Sequence, residues 1–130
     1  MNLRILLVDD NKVFLTAVGQ FLTRLPGADV VAQAQNGPDA LHMAAQLQPD
    51  LVLLDIAMPG MDGLEVVRAM QAWPRPPCRV LLSMHDGAGY RAAALEAGAM
   101  ALVGKGDFVA DLLPIIESLM ASKIQQEAPC

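Results

Sequence analysis

Carboxylates follow two strongly apolar segments of this 130-residue chain. Residues 3–8 precede Asp9 and Asp10, and residues 51–54 precede Asp55. Consecutive aliphatic residues are typical of strands that are buried on both faces, as in a parallel sheet covered by helices. Open α/β sheets bind ligands at the carboxyl ends of their strands. If the two strands are adjacent, we therefore expect the three carboxylates to meet at one edge.

Three clustered carboxylates need a compensating charge. Two like charges about 4 Å apart repel by roughly 4 kcal/mol at an effective dielectric near 20. A proton, a cationic side chain or a divalent cation would relieve this repulsion, and a site of oxygen ligands suits Mg²⁺. Taken alone, Asp55 would be the polar first residue of a loop, and Asp9 or Asp10 could also cap the first helix.

The rest of the chain predicts an alternation of strands and helices, as in a doubly wound α/β domain. Further strands are expected at 30–34, 80–82 and 100–103. The first two helices are predicted from about Phe14 to before Pro26-Gly27 and from Asn36 to before Pro49. The next two are predicted over 64–70 and over 88–97, with Gly98 as the C-terminal cap of the second of these. The last helix is predicted after Asp107. Pro114 cannot donate a helical hydrogen bond, so it predicts either a kink in the last helix or a start closer to Asp111.

Composition excludes several classes of function. A chain of this length makes one domain. It has a formal net charge of −5, which argues against direct nucleic-acid binding, because phosphate contacts require clustered Lys and Arg. No apolar run is long enough to span a membrane, and Asp9-Asp10 interrupt the only early apolar segment, so no signal peptide is predicted. We expect Cys78 and Cys130 to be unpaired, in a reducing cytoplasm.

Several motifs in order resemble a bacterial response-regulator receiver domain. They are Val8-Asp9-Asp10, Leu54-Asp55, Met58-Pro59-Gly60-Met61-Asp62-Gly63, Leu82-Ser83 and Lys105. The resemblance spans residues 3–122 and leaves residues 123–130 as a disordered C-terminal tail. Ser83-Met84-His85-Asp86 with Tyr90 further resembles the subfamily whose full-length members carry a LuxR-type helix-turn-helix, so the chain could be the N-terminal part of a transcription regulator.

The resemblance implies a fold and a set of roles. The fold is a three-layer (βα)5 sandwich of the flavodoxin-like type, with the parallel sheet order 2-1-3-4-5 known for that fold. Asp55 is then the phosphoryl acceptor, which receives the group from a sensor histidine kinase or a phosphotransfer protein. Asp10, Asp55 and the backbone carbonyl of Ala57 match the Mg²⁺ ligands of the family, with Asp9 acting from the second shell.

Two further residues carry implied roles. Lys105 would neutralise the acids and later hold a phosphoryl oxygen, although a lone loop lysine is more often solvated. Ser83 would hydrogen-bond the phosphoryl group, although a small hydroxyl can also simply end a strand. Phosphorylation would alter the face formed by the fourth and fifth helices with the fifth strand, and that face could also form a homodimer.

The sequence departs from the family pattern at Leu102, Ala57 and Gly106, and Gly106 stands where many relatives have Pro, so a cis Lys-Pro bond is ruled out. Leu102 stands where many relatives have Tyr or Phe, so a degenerate receiver that binds partners without phosphorylation remains the alternative. Ala57 offers no side chain to hold an attacking water, which implies slow self-dephosphorylation. His85, two residues after Ser83, could influence the phosphoryl lifetime, although a surface-loop histidine is the more common case. Phosphatases of the haloacid dehalogenase type need a second Asp at the position of Ala57, so we expect a phosphoacceptor and not an enzyme. The Gly-rich motif of dinucleotide-binding domains is absent.

Overall fold

The computed structural model describes residues 2–84 and 88–124. In this part of the chain, strands and helices alternate. In chain order they are β1 (Leu3–Val8), α1 (Lys12–Thr23), β2 (Ala28–Ala34), α2 (Gly37–Leu47), β3 (Leu51–Asp55), α3 (Gly63–Gln71), β4 (Cys78–Ser83), α4 (Ala88–Ala97), β5 (Ala101–Gly104), a 3-10 turn (Lys105–Asp107) and α5 (Phe108–Ile124).

The strands form one parallel sheet in the order β2-β1-β3-β4-β5. This confirms the predicted order. β1 and β3 are neighbours, with Val8 opposite Leu54, so the residues that follow them emerge side by side. On the other side of β3, Asp55 lies opposite Leu82. The carboxyl ends of the three central strands therefore meet at one edge.

Alternation along the strands builds two cores, one on each face of the sheet. In β3, Leu51 and Leu53 pack on the face covered by α1 and α5. Val52 and Leu54 pack on the opposite face, which α2, α3 and α4 cover. All four side chains are 0% exposed, as expected for a central strand with helices on both sides. The result is the predicted three-layer sandwich.

Side-chain caps fix where three of the helices begin. The Oδ1 atom of Asn11 accepts from the backbone N–H of Val13 and Phe14 at the start of α1. Asn36 caps α2 and Asp62 caps α3 in the same way. These caps satisfy backbone donors that have no partner inside the helix. α1 and α3 are therefore anchored close to the carboxyl edge of the sheet.

The last helix begins at Phe108, so the alternative start near Asp111 is wrong, and α5 continues through Pro114. The carbonyl that loses its partner belongs to Ala110, four residues earlier. Ala110 is exposed, so water can satisfy that carbonyl. α5 extends to Ile124, two residues into the segment 123–130 that we expected to be a tail, and residues 125–130 lie outside the described range.

Cys78 does not carry the free thiol that was expected from the sequence. It is disulfide-bonded. The other cysteine of the chain, Cys130, lies outside the described residues. No helix of ranges 2–84 and 88–124 is long and apolar enough to cross a membrane.

Candidate functional site

Two carboxylates and one ammonium are buried together at the carboxyl edge of the sheet. Asp9 follows β1, Asp55 ends β3 and Lys105 follows β5. The Nζ atom of Lys105 lies 2.6 Å from Oδ2 of Asp9 and 3.5 Å from Oδ2 of Asp55. The three residues are 8% exposed or less. Because β5 is two strands away from β3, only the lysine's long side chain lets it reach both acids.

Asp10 completes an acidic cluster. One carboxylate oxygen from each of Asp9, Asp10 and Asp55 lies within 4.8 Å of the others. Asp10 is exposed while the other two acids are buried. Three carboxylates against one ammonium leave a surplus of negative charge, and the donors are all hard oxygens. This donor set fits Mg²⁺, which binds few protein carboxylates and keeps several waters.

The Asp55 carboxylate is held by its own loop and by Lys105. Its Oδ1 atom accepts a 3.3 Å hydrogen bond from the backbone N–H of Ala57. Burial and the nearby negative charge of Asp9 raise the pKa of Asp55, while Lys105 and the Ala57 N–H act in the opposite direction. The net direction is upward, so the ionised side chain lacks full compensation from the protein alone.

Asp9 has a different set of partners. Besides its ion pair with Lys105, Asp9 accepts a 2.9 Å hydrogen bond from the backbone N–H of Asn11 through Oδ1. Since Asn11 is the residue that caps α1, the alternative in which Asp9 or Asp10 caps that helix is wrong. Asp9 instead orients the turn between β1 and α1, and this turn places Asp10 at the exposed side of the acidic cluster.

Ser83 and Ala57 lie at the same edge. Ser83 is the last residue of β4 and is 3% exposed. It pairs with Gly104, the residue before Lys105, which places it beside the strand that carries the lysine. Ala57 is exposed, two residues after Asp55. The structure thus brings every predicted site residue to one edge of the sheet.

Gly63 is a site residue whose role the sequence analysis missed. Gly63 is the first residue of α3, and unlike Gly60, whose φ is 78°, it does not have a positive φ. A Cβ at Gly63 would collide with the backbone oxygen of Asp55 and come within 2.9 Å of Cα of Ile56. Glycine is therefore required for α3 to begin directly against the end of β3.

Two further positions discussed from the sequence are Leu102 and His85. Leu102 is 6% exposed and packs in the core on the side of α3 and α4. His85 lies outside the described residues, so no geometry is attached to it.

Comparison with known proteins gives a consistent set of relatives. The family model described as "Response regulator receiver domain" matches residues 5–117. A protein-glutamate methylesterase/protein-glutamine glutaminase of Shewanella frigidimarina is 41% identical over 106 residues, which are 81% of this chain and 27% of that protein. A putative transcriptional regulator of Pseudomonas aeruginosa is 33% identical over 121 residues, 93% of this chain and 58% of that protein. The chain thus spans about a quarter of the first relative and just over half of the second.

Solved structures agree with these relatives. A two-component response regulator of the LuxR family from Aurantimonas sp. has a TM-score of 0.86 at 31% identity, covering 98% of this chain and 96% of that one. The receiver domain of the putative response regulator NarL from Mycobacterium tuberculosis has a TM-score of 0.80 at 31% identity, with 89% and 97% covered.

Proposed function

This chain belongs to the family of response-regulator receiver domains, and we propose that it accepts a phosphoryl group on Asp55. The donor would be a phosphohistidine of a sensor kinase or of a phosphotransfer protein. The observation that supports this most directly is the position of Asp55. Its carboxylate is buried at a strand end, 3.5 Å from an ammonium and beside two further carboxylates.

The transfer is a displacement at phosphorus. An oxygen of the Asp55 carboxylate forms a bond to phosphorus, while the bond from phosphorus to the donor nitrogen breaks and the imidazole leaves with its electron pair. Lys105 neutralises charge on Asp9 and Asp55 before transfer, and its ammonium can then hold a phosphoryl oxygen. The Ala57 N–H supports one carboxylate oxygen of Asp55. Ser83 would donate its hydroxyl hydrogen to the phosphoryl group.

Mg²⁺ is the proposed cofactor. Asp10 and Asp55 would bind it with the backbone carbonyl of Ala57, and Asp9 would act from the second shell. When bound, the cation supplies positive charge against the phosphoryl oxygens. The surplus of carboxylates over ammonium groups at this edge is the reason for expecting it.

Intact mass spectrometry after incubation with acetyl phosphate tests the proposal. We expect a single phosphoryl adduct that requires Mg²⁺ and that is lost in Asp55→Asn and in Asp10→Asn. Asp50→Asn, at the opposite edge of the sheet, is the control and should keep the adduct. The short loop side chain at Ala57 also leads us to propose slow loss of the adduct, with Ala57→Asn as the variant that shortens its lifetime.

The absence of an adduct in folded protein would contradict this function. It would favour the degenerate receiver, a partner-binding module that works without phosphorylation. The buried Leu102 is the observation behind that alternative, because an aromatic side chain often stands there in relatives.

The output is proposed to run through the face formed by α4, β5 and α5. Tyr90 and Leu95 on α4 and Val109 on α5 are large apolar side chains that are 44–53% exposed. We propose that phosphorylation switches this face toward a partner or a second copy of the chain, in the cytoplasm, with residues 3–122 as the receiver domain. Sedimentation before and after acetyl phosphate, with Leu95→Glu as the variant, tests the homodimer.

A further inference from the structure

The ammonium of Lys105 rests on an aromatic ring as well as against two carboxylates. Its Nζ atom lies 4.5 Å from the centroid of the Phe14 ring, within the ~6 Å reach of a cation–π contact. Lys105 is 8% exposed. Such contacts are strongest when the cation is shielded from water, so the ring is a substantial partner of this lysine.

The Phe14 ring packs against Phe108, which in turn packs against Phe21. Phe14 and Phe108 meet edge to face, with centroids 5.4 Å apart and planes at 70°. Phe108 and Phe21 also meet edge to face, with ring centroids 5.8 Å apart and ring planes at 87°. Phe14 and Phe21 lie seven residues apart, about two turns, on one side of α1. The three rings form a ladder from α1 to the first residue of α5.

The Phe14 ring limits where the Lys105 ammonium can lie. A lysine ammonium is a point charge on a flexible four-carbon stem, and the surrounding carboxylates offer it several oxygens. With the Phe14 ring on one side, Nζ is held where it is 2.6 Å from Asp9 and 3.5 Å from Asp55. The ring adds attraction without adding a competing oxygen ligand.

We propose that Phe14 is a positioning residue, which holds the Lys105 ammonium between Asp9 and Asp55 for phosphoryl transfer. This inference rests on the proposed function of Asp55. A role in core packing alone would make Phe14 equivalent to Phe21, which joins the same ladder through Phe108. Phe21 therefore provides the matched control.

The test measures adduct formation over a series of acetyl phosphate concentrations with Mg²⁺. We expect Phe14→Leu to lower the maximal rate by about 3- to 30-fold, with a much smaller effect on the acetyl phosphate concentration at half-maximal rate. Phe14→Tyr, which keeps a ring face, should restore the rate to within about twofold of the wild type. Phe21→Leu should stay near the wild type. An unchanged rate in Phe14→Leu, or an equal loss in Phe21→Leu, would overturn the proposal.

A second measurement is independent of phosphorylation. In protein carrying ¹³C-labelled lysine, the Lys105 side-chain signal should be displaced by the ring current of Phe14, and Lys105→Arg identifies that signal. We expect the displacement to disappear in Phe14→Leu and to persist in Phe21→Leu. A Lys105 signal without displacement in the wild type refutes the contact without any variant. If the wild type forms no adduct while this displacement is present, the proposed function of Asp55 fails and the ring contact stands.

Discussion

At the carboxyl edge of the sheet two buried carboxylates share one ammonium, whereas at the amino edge a buried guanidinium is satisfied by neutral oxygens. Arg79, the second residue of β4, is 4% exposed. It donates to the carbonyls of Pro77 and Val67, each at 2.9 Å, and to the side chain of Gln71 at 2.7 Å. Its pKa is lowered by burial, but its usual value is so high that the group stays charged.

The amino edge also contains an ion pair between Asp50 and Lys123. Asp50 lies 2.5 Å from the ammonium of Lys123 and accepts the backbone N–H of Arg4 at 2.8 Å. Lys123 also donates to the carbonyl of Asn2. Within residues 2–84 and 88–124, the acidic cluster at the carboxyl edge has three carboxylates and one lysine ammonium within ion-pair distance. The carboxyl edge therefore has an excess of negative charge that a cation could offset, whereas the Asp50 and Lys123 side chains at the amino edge neutralise each other.

The largest effect is expected from Lys105→Met. Without the ammonium, Asp9 and Asp55 are left buried as like charges, and removing one partner of a buried ion pair typically costs about 3–5 kcal/mol. We expect a loss of that size in the free energy of unfolding at neutral pH without Mg²⁺, measured in urea. Saturating Mg²⁺ should recover part of the loss. If the variant is as stable as the wild type, the carboxyl edge is not short of positive charge.

At the amino edge, Arg79→Met should cost about 2–3 kcal/mol, because it leaves buried acceptors such as the Val67 carbonyl without a partner. Mg²⁺ should not restore any of this lost stability, and the rate of phosphoryl adduct formation should stay within about twofold of the wild type. The same urea titrations, with and without Mg²⁺, measure this. A Mg²⁺-dependent recovery would break the distinction between the two edges.

Asp55→Asn should stabilise the protein by about 1–2 kcal/mol at neutral pH without Mg²⁺, since it removes one of two buried like charges. The pKa of Asp55 is raised in the folded state, so folding becomes less favourable as the pH rises from the ordinary Asp pKa to that raised pKa, and the full penalty applies above it. Below the ordinary Asp value the carboxyl is protonated in both states. The gain in stability from Asn should therefore shrink as the pH falls from the raised pKa of Asp55 to the ordinary Asp pKa. Urea titrations at several pH values would show this. An advantage that grows toward low pH would contradict the assigned cause.

The smallest effect is expected from Lys123→Met. The side chains of Lys123 and Asp50 are 26% and 32% exposed, and partly solvated ion pairs contribute less than about 1 kcal/mol. Thermal unfolding should shift by only a few degrees, and adduct formation should not change. A loss of stability as large as that of Lys105→Met would mean that the amino edge also depends on compensating a buried carboxylate.

Much of this architecture could be predicted from the sequence because it follows from local patterns. The apolar segments of β1 and β3 and the acids after them indicated two buried strands ending at one edge. Gly98 was predicted to cap α4, and its φ of 112° supports that role. Which face of a helix is buried was less predictable: in α2, Ala44 is buried and its neighbour Ala45 is exposed, because alanine is compatible with either environment.

The roles of single residues depended on contacts between distant parts of the chain. Asn11 could be recognised as a capping type, yet nothing local distinguished it from Asp9 and Asp10. Arg79 lies within an apolar strand, and its partners at Val67 and Gln71 belong to another element. Pro114 predicted a kink or a later helix start, but the carbonyl it leaves unpaired belongs to Ala110, an exposed residue. In each case the deciding factor was exposure or a distant partner, which sequence spacing does not record.

The sequence by itself determined that carboxylates, a lysine and a serine follow strands of a parallel sheet, because strand ends and turns are set by local residue types. Only the tertiary structure decided that Lys105 lies against both Asp9 and Asp55 on the ring of Phe14. It also decided that Gly63 must lack a side chain beside Asp55. These contacts join residues tens of positions apart or different layers of the sandwich, and their distances are fixed by how the elements pack and not by the order of the residues.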